Sequence, residues 1–213
     1  DSAYQFKDEL AVLAAPVYYG RIPEAAAEYF NSLTGDNTPA VIVVVYGNRA
    51  YDDALIELYD IAVKRGFLPV AAGAFIAEHS YSTEILPAAA GRPDAKDLES
   101  ARAFGGAIRE KLLRCGSAQE TLLTGVPGMR PYIEPEGLYR LRETRKTVQF
   151  TPQTDESVCT RCNRCVEACP EDAIDQVDIL KTDNRKCIMC FACVKACPVN
   201  ARRMAEPAFF LRV

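Results

Sequence analysis

The sequence predicts an α/β domain with a parallel sheet of three strands, followed by a small α+β domain. Two observations predict it. Strand-like apolar runs alternate with helix-period segments through residue 125, and eight of the nine cysteines crowd between Cys159 and Cys197. An order β-α-β-α-β-α calls for crossover connections that place helices on the faces of a parallel sheet.

The apolar run "LAVLAAPVYY" (10–19), closed by Tyr-Tyr-Gly, reads as the first strand. Pro23 opens a helix whose apolar face includes Ala26, Phe30 and Leu33 at helical spacing. "AVIVVVYG" (40–47), β-branched and bounded by Pro39 and Gly47, has the composition of a buried parallel strand. Asp52 or Asp53 is placed to cap a second helix running to Arg65, with Gly66 as its stop. "LPVAAGAFIA" (68–77) is the third strand. A third helix starts near Asp94, with Leu98, Ala101, Phe104, Ile108 and Leu112 on one face and Gly116 past its end.

The first domain therefore spans 1–125. From 126 to 156 the pattern is broken by Pro127, Pro131, Pro135 and Pro152, and Arg140, Arg142, Arg145 and Lys146 form a basic stretch. This is a linker expected to pack on one or both domains. The cysteine-rich domain fills 157–200. The tail, 201–213, contains "EPAFFLRV" and is expected to return over apolar surface.

A net charge of −4 gives no basic footprint for nucleic acid. The longest apolar run is of strand length, short of the roughly 18–20 residues that span a membrane. The start, "DSAYQFKDEL", lacks the basic and apolar regions of a secretory signal, so a cytoplasmic location is expected. It has no initial Met, as in a processed chain or part of a longer one.

The cysteines form a repeat. "CTRCNRCVEACP" begins at Cys159 and "CIMCFACVKACP" at Cys187, each C-x2-C-x2-C-x3-C-P. In this spacing three cysteines wrap one [4Fe–4S] cluster and the fourth ligates the other. One set is then Cys159, Cys162, Cys165 and Cys197; the other is Cys187, Cys190, Cys193 and Cys169. Zinc ribbons also use C-x2-C pairs, but have no use for a third C-x2 step or for Pro170 and Pro198. This segment resembles the bacterial-type two-[4Fe–4S] ferredoxins, including Ala173-Ile174 and Ala201 after the prolines. The resemblance implies low-potential one-electron transfer and oxygen-labile clusters, and so an anaerobic cytoplasm. Cys115 lies outside both motifs and reads as a buried small hydrophobe.

Parallel strands gather their C-terminal loops on one sheet edge, where open α/β folds bind ligands. Those loops are "PVYYGRIP" (16–23), "YGNRAYDD" (46–53) and "AEHSYSTE" (77–84). Tyr18, Tyr19, Tyr46 and Tyr51 offer flat faces, Gly20 and Gly47 close backbone approach, and Asn48 a hydrogen bond to a heterocycle edge. The sole histidine, His79, sits in the third loop. Together they are candidates for an FMN ring; the competing reading is that the tyrosines cap a core and His79 is structural.

With "YGNRAYDDALIEL", "AFIAEHSYS", "GRPDAKDL" and the double cysteine motif, nearly the whole chain resembles the flavodoxin–ferredoxin fusion proteins of anaerobes. The resemblance implies a flavodoxin-like domain coupled to a ferredoxin. A flavodoxin-like sheet has five strands in the order 2-1-3-4-5, with the phosphate loop after strand 1. The three strands here correspond to the last three. "TGDNT" at Thr34 follows a helix and precedes a strand, the wrong order for a phosphate loop. About 50–60 residues, two β-α units, are therefore expected from a missing N-terminal segment or a second chain. Without them the first strand leaves an open edge.

The leading functional expectation is an electron carrier, with a flavin exchanging electron pairs and the clusters passing single electrons to redox protein partners. An alternative is a flavin-free ferredoxin whose α/β domain docks a partner. A third is an oxidoreductase acting on a small substrate through His79, Tyr or Arg. Arg161 and Arg164 are expected to keep the first cysteine loop at the surface and offset its cluster's charge. Ile188, Met189 and Phe191 are expected to be buried, so that the apolar copy is the inner cluster and the arginine copy faces an acidic partner.

Overall fold

The computed structural model describes residues 5–84, 87–115, 117–132 and 151–204. The chain divides into two compact units, Asp1–Pro135 and Glu136–Val213. The basic stretch 140–146, Gly116 and the segment "EPAFFLRV" lie outside the described residues.

In the first unit β1 (Gln5–Phe6) pairs in parallel with β3 (Thr34–Gly35), so "TGDNT" begins as a short strand. The main sheet is β2 (Ala11–Pro16), β4 (Thr38–Tyr46) and β5 (Phe67–Ile76), parallel throughout in the order β2-β4-β5. The connections are α1 (Glu24–Ser32) and α2 (Ala54–Lys64). One sheet face packs Leu13, Ala15, Ile42 and Val44 against Phe30, Leu55, Leu58 and Ile61. Each such large side chain, fully buried, contributes about 1.5–3 kcal/mol.

The opposite face packs Val41, Val70 and Ala71 under α3 (Ala95–Arg114) through Ile108, with Phe104 and Leu112 alongside. The expected helix face is only half used. Ala101 and Leu98 are exposed, the latter at 45%, because the sheet residues of this layer meet only the second half of the helix. Lys111 ties that half to the sheet, donating to the Val70 and Thr121 carbonyls (both 2.7 Å).

Pro69 stands inside β5 because the ladder bulges there: Ala40 pairs with Pro69, Val41 with Ala71, and Val70 is skipped. A residue without an N–H is tolerated at an edge-strand bulge. The α3 start follows its sequence. Asp94 Oδ1 accepts from the N–H groups of Lys96 (2.8 Å) and Asp97 (3.0 Å), and Asp97 returns a bond to Asp94 N–H (2.8 Å), a capping box.

The α2 start does not. Asp53 occupies the N-cap without capping; its Oδ1 instead accepts from the Met129 N–H (2.8 Å). That bond belongs to a strap. Arg130 makes a bidentate pair with Asp60, the Tyr132 hydroxyl donates to Asp60 (2.6 Å), and the Arg21 guanidinium lies 4.5 Å from the Tyr132 ring centroid. Arg130, by hydrogen bonding, holds the Asp60 carboxyl below its usual range. Residues 126–132 thus pack on the first unit, whereas Thr151–Thr154 are built into the second.

In the second unit β6 (Gln153–Thr154) pairs antiparallel with β7 (Arg202–Arg203), and Ile174 bridges Thr182. Two single-turn helices, α4 (Arg164–Glu167) and α5 (Ala192–Lys195), carry Cys165 and Cys193. The core is Cys165, Ile174, Ile179 and Cys193. No helix among the described residues is long and apolar enough to cross a membrane.

Candidate metal centre

The two cysteine copies fold alike at a step of twenty-eight residues. Asp155 and Asp183 accept through Oδ1 from the N–H two residues on, Ser157 (3.1 Å) and Arg185 (2.8 Å). Their carbonyls accept from the first cysteines, Cys159 and Cys187 (both 3.0 Å). Between cysteines the chain turns through the left-handed region at equivalent places, Arg161 and Met189 (φ 54° and 56°), then Asn163 and Phe191 (60° and 64°). Side chains as unlike as Arg and Met accept a conformation that normally disfavours both. The backbone path is what repeats.

The fourth cysteines are also held alike. Ala173 N–H donates to Cys169 Sγ (3.3 Å) and Ala201 N–H to Cys197 Sγ (3.2 Å). Burial pushes the Cys193 thiol up, opposed by the Arg202 guanidinium. At Cys197 burial acts upward too, but the N–H groups of Arg202, Val199 and Ala201 and the Arg202 charge outweigh it, so the thiol lies below its usual range.

Cys169 of the first copy lines one cavity with Cys187, Cys190 and Cys193 of the second. This is one of the two interlocked sets read from the spacing. Cys159, Cys162 and Cys165 lie on the matching first loop, with Cys162 exposed and Cys165 buried. Among the described residues no three His, Cys, Asp or Glu side chains converge to hold one metal ion.

Loop dressing differs as the residues suggest. Residues 160–164 are all exposed, while Met189 is buried and Ile188, Phe191 and Ala192 are half-buried. One expectation changes: Arg161 does not stand free to offset a cluster, because it pairs with Glu156 (2.8 Å). Cys115 follows α3 half-buried rather than buried.

On the first unit, Tyr18 to Arg21 close a tight turn (Tyr18 N–H to Arg21 O, 2.8 Å; Arg21 N–H to Tyr18 O, 3.1 Å). Its central residues, Tyr19 and Gly20, both have positive φ (56° and 77°), a type I′ geometry. Arg21 reaches α2 with a bidentate bond to Glu57 (2.8 Å each), and Glu57 also accepts from the Ile22 N–H (3.1 Å). Tyr46 and Tyr51 meet edge to face at 5.4 Å, and Asn48 takes a left-handed turn.

Gly20 and Gly47 admit close approach by the protein's own side chains. A Cβ on Gly20 would stand 2.4 Å from Asp52 Oδ2, and one on Gly47 2.3 Å from His79 Cδ2. His79 Nδ1 accepts from the Tyr81 N–H (3.0 Å).

Arg202 is absent from the sequence candidates, although the repeat contained its signal: the twenty-eight-residue step carries Ile174 onto it. Residues 151–198 match a family described as a 4Fe-4S dicluster domain. No curated protein and no solved structure matches the chain. That match supports a ferredoxin-like module over residues 151–198 and points to electron transfer through iron–sulfur clusters.

Proposed function

We propose that this protein is an electron carrier with two [4Fe–4S] clusters, one held by Cys159, Cys162, Cys165 and Cys197, the other by Cys187, Cys190, Cys193 and Cys169. The observation that carries this reading is that Cys169 lines a cavity with the three cysteines of the other motif. When bound, such clusters supply reversible one-electron chemistry. The chain's own part is to hold the thiolates and offset their charge. The Ala173 and Ala201 N–H groups do this at each remote cysteine, and hydrogen bonds to cluster sulfur raise the reduction potential. The exposed loop 160–164 is the side offered to a redox protein partner.

We read the first unit as the last three strands of a flavodoxin-like sheet, a reading supported by its parallel β2-β4-β5 order. Asp52 and His79 take the space directly beside Gly20 and Gly47, and no electron step is assigned to a flavin there. The same observation favours the second reading, in which the α/β unit is a flavin-free docking surface.

Anaerobic reconstitution followed by iron analysis and EPR tests the proposal. About eight irons per chain are expected, from two four-iron clusters. Cys169→Ser and Cys187→Ser should remove the same EPR signal, and Cys197→Ser and Cys159→Ser the other. Signals lost motif by motif would refute the interlocked assignment; a zinc-loaded chain without iron would refute the carrier.

A further inference from the structure

After its Cys-Pro the first copy continues "EDAI" and the second "VNAR", so Ile174 and Arg202 are equivalent. Both are buried, at 3% and 2% exposure. Their settings repeat as well: Ile174 bridges Thr182 and Arg202 pairs with Thr154, and the two threonines are related by the same step. Isoleucine needs nothing more at such a place. A guanidinium brings a permanent charge and five N–H donors.

Four donors are satisfied by neutral groups. Nη1 donates to Thr154 Oγ1 (3.0 Å) and the Ile179 carbonyl (3.1 Å), and Nη2 to Thr182 Oγ1 (2.6 Å) and the Pro152 carbonyl (3.3 Å). No carboxylate is among these partners, and the buried Nε–H has no acceptor among the described residues. A buried charge without a counterion is costly, so a counter-charge is expected beside it. The strand that carries Arg202 packs on α5, the turn that carries Cys193, and the Arg202 charge acts on the Cys193 and Cys197 thiols.

Resting on the two-cluster reading, we propose that Arg202 is the buried countercharge of the iron–sulfur core, and that its guanidinium raises the reduction potential of the Cys193 cluster above what the thiolates alone would set. Reduction adds one electron from an external low-potential donor to that cluster; no bond forms or breaks and no proton moves. The added negative charge is what the guanidinium stabilises. The guanidinium acts on Cys193 by both hydrogen bonding and charge but on Cys197 by charge alone, so side-chain substitutions should fall more heavily on the Cys193 cluster. Arg202 is a positioning residue.

The test uses the full chain, reconstituted anaerobically, with Arg202→Gln, Arg202→Lys and Arg202→Ile, the last restoring the residue of the first copy. Iron is counted first, and each cluster's midpoint is then read by EPR-monitored titration with dithionite and mediators. In Arg202→Gln one cluster should become at least tenfold harder to reduce, about 59 mV for a one-electron couple, and the other should shift less than half as much. Arg202→Lys should keep most of the wild-type midpoint while melting at a lower temperature. Loss of iron from the neutral variants but not from Arg202→Lys would equally support a countercharge.

Both midpoints unmoved in Arg202→Gln, equal shifts of both, Arg202→Lys shifting as far as Arg202→Gln, or loss of iron from all three variants would overturn the proposal. A wild-type chain that binds no iron refutes the two-cluster reading instead.

Discussion

Glu57→Ala tests whether the loop after β2 is fixed by the ion pair beneath it. Arg21 and Glu57 side chains are 19% and 10% exposed, and the contact is bidentate with a third bond from Ile22 N–H. Breaking a fully buried pair costs about 3–5 kcal/mol, because one charge is left uncompensated. Residual solvent around Arg21 reduces that figure, and the orphaned Ile22 N–H restores about 1 kcal/mol of it. We expect a loss of about 3 kcal/mol, roughly 10 °C in melting temperature for a unit of this size. The chain has no tryptophan, so urea unfolding is followed by far-UV circular dichroism, with visible cluster absorbance reporting the other unit separately. Arg21→Met combined with Glu57→Ala should be no worse than Glu57→Ala alone, since the stranded charge is gone. A single-mutant loss under about 0.5 kcal/mol, the range of an ordinary surface change, would refute the reasoning.

Two further outcomes follow from the same unit. The Arg92 guanidinium beside Asp97 holds its carboxyl down, to about 2; a lowered carboxyl contributes stability above its unfolded value and loses it as pH falls. The start of α3 should therefore fray between about pH 4 and pH 2 in carboxyl and amide NMR titrations, whereas Asp97→Asn should be frayed already at neutral pH. An Asp97 that titrates near 3.8, the unperturbed value, excludes this. The outer edge of β2 has no partner strand among the described residues, and Leu10 and Val12 beside it are 43% and 62% exposed. We propose that a further strand pairs there, so the chain should self-associate in sedimentation and Val12→Lys should suppress it. A monomer unaffected by Val12→Lys would argue against an open edge.

The strands were legible because a parallel sheet demands apolar, β-branched runs, but their ends were set by groups the runs do not contain. The run from Leu10 to Tyr19 leaves the sheet at Pro16 because Tyr18 and Arg21 close their own turn. Pro39, read as a boundary, lies inside β4 near its start, where a missing N–H costs little. Asp53 could not be told from a cap, since the group it binds, Met129 N–H, is 76 residues away in sequence. Gly20 and Gly47 signalled close approach correctly without saying of what. The cysteine loops were the most legible part, because coordination fixes residue type and spacing together. The shared pattern runs through Ala173 and Ala201, and at the next position Ile174 of the first copy gives way to Arg202 of the second.

Two cysteine loops share a backbone, down to paired left-handed residues, and differ in polarity around it. On the two-cluster reading, matching backbones give both sites four thiolates and an N–H to the remote sulfur, so their local chemistry alone would set similar potentials. The surroundings separate them. The first loop is exposed from Thr160 to Arg164, and water stabilises the extra negative charge of a reduced cluster. The second lies under Met189 with Ile188 and Phe191 half-buried, which disfavours that charge. Arg202 brings a buried positive charge to the disfavoured site, at the one position where the repeat replaces isoleucine with arginine. On the two-cluster reading, that arginine draws the covered cluster back toward the potential of the exposed one, and a single electron can then pass between them without a large step in either direction.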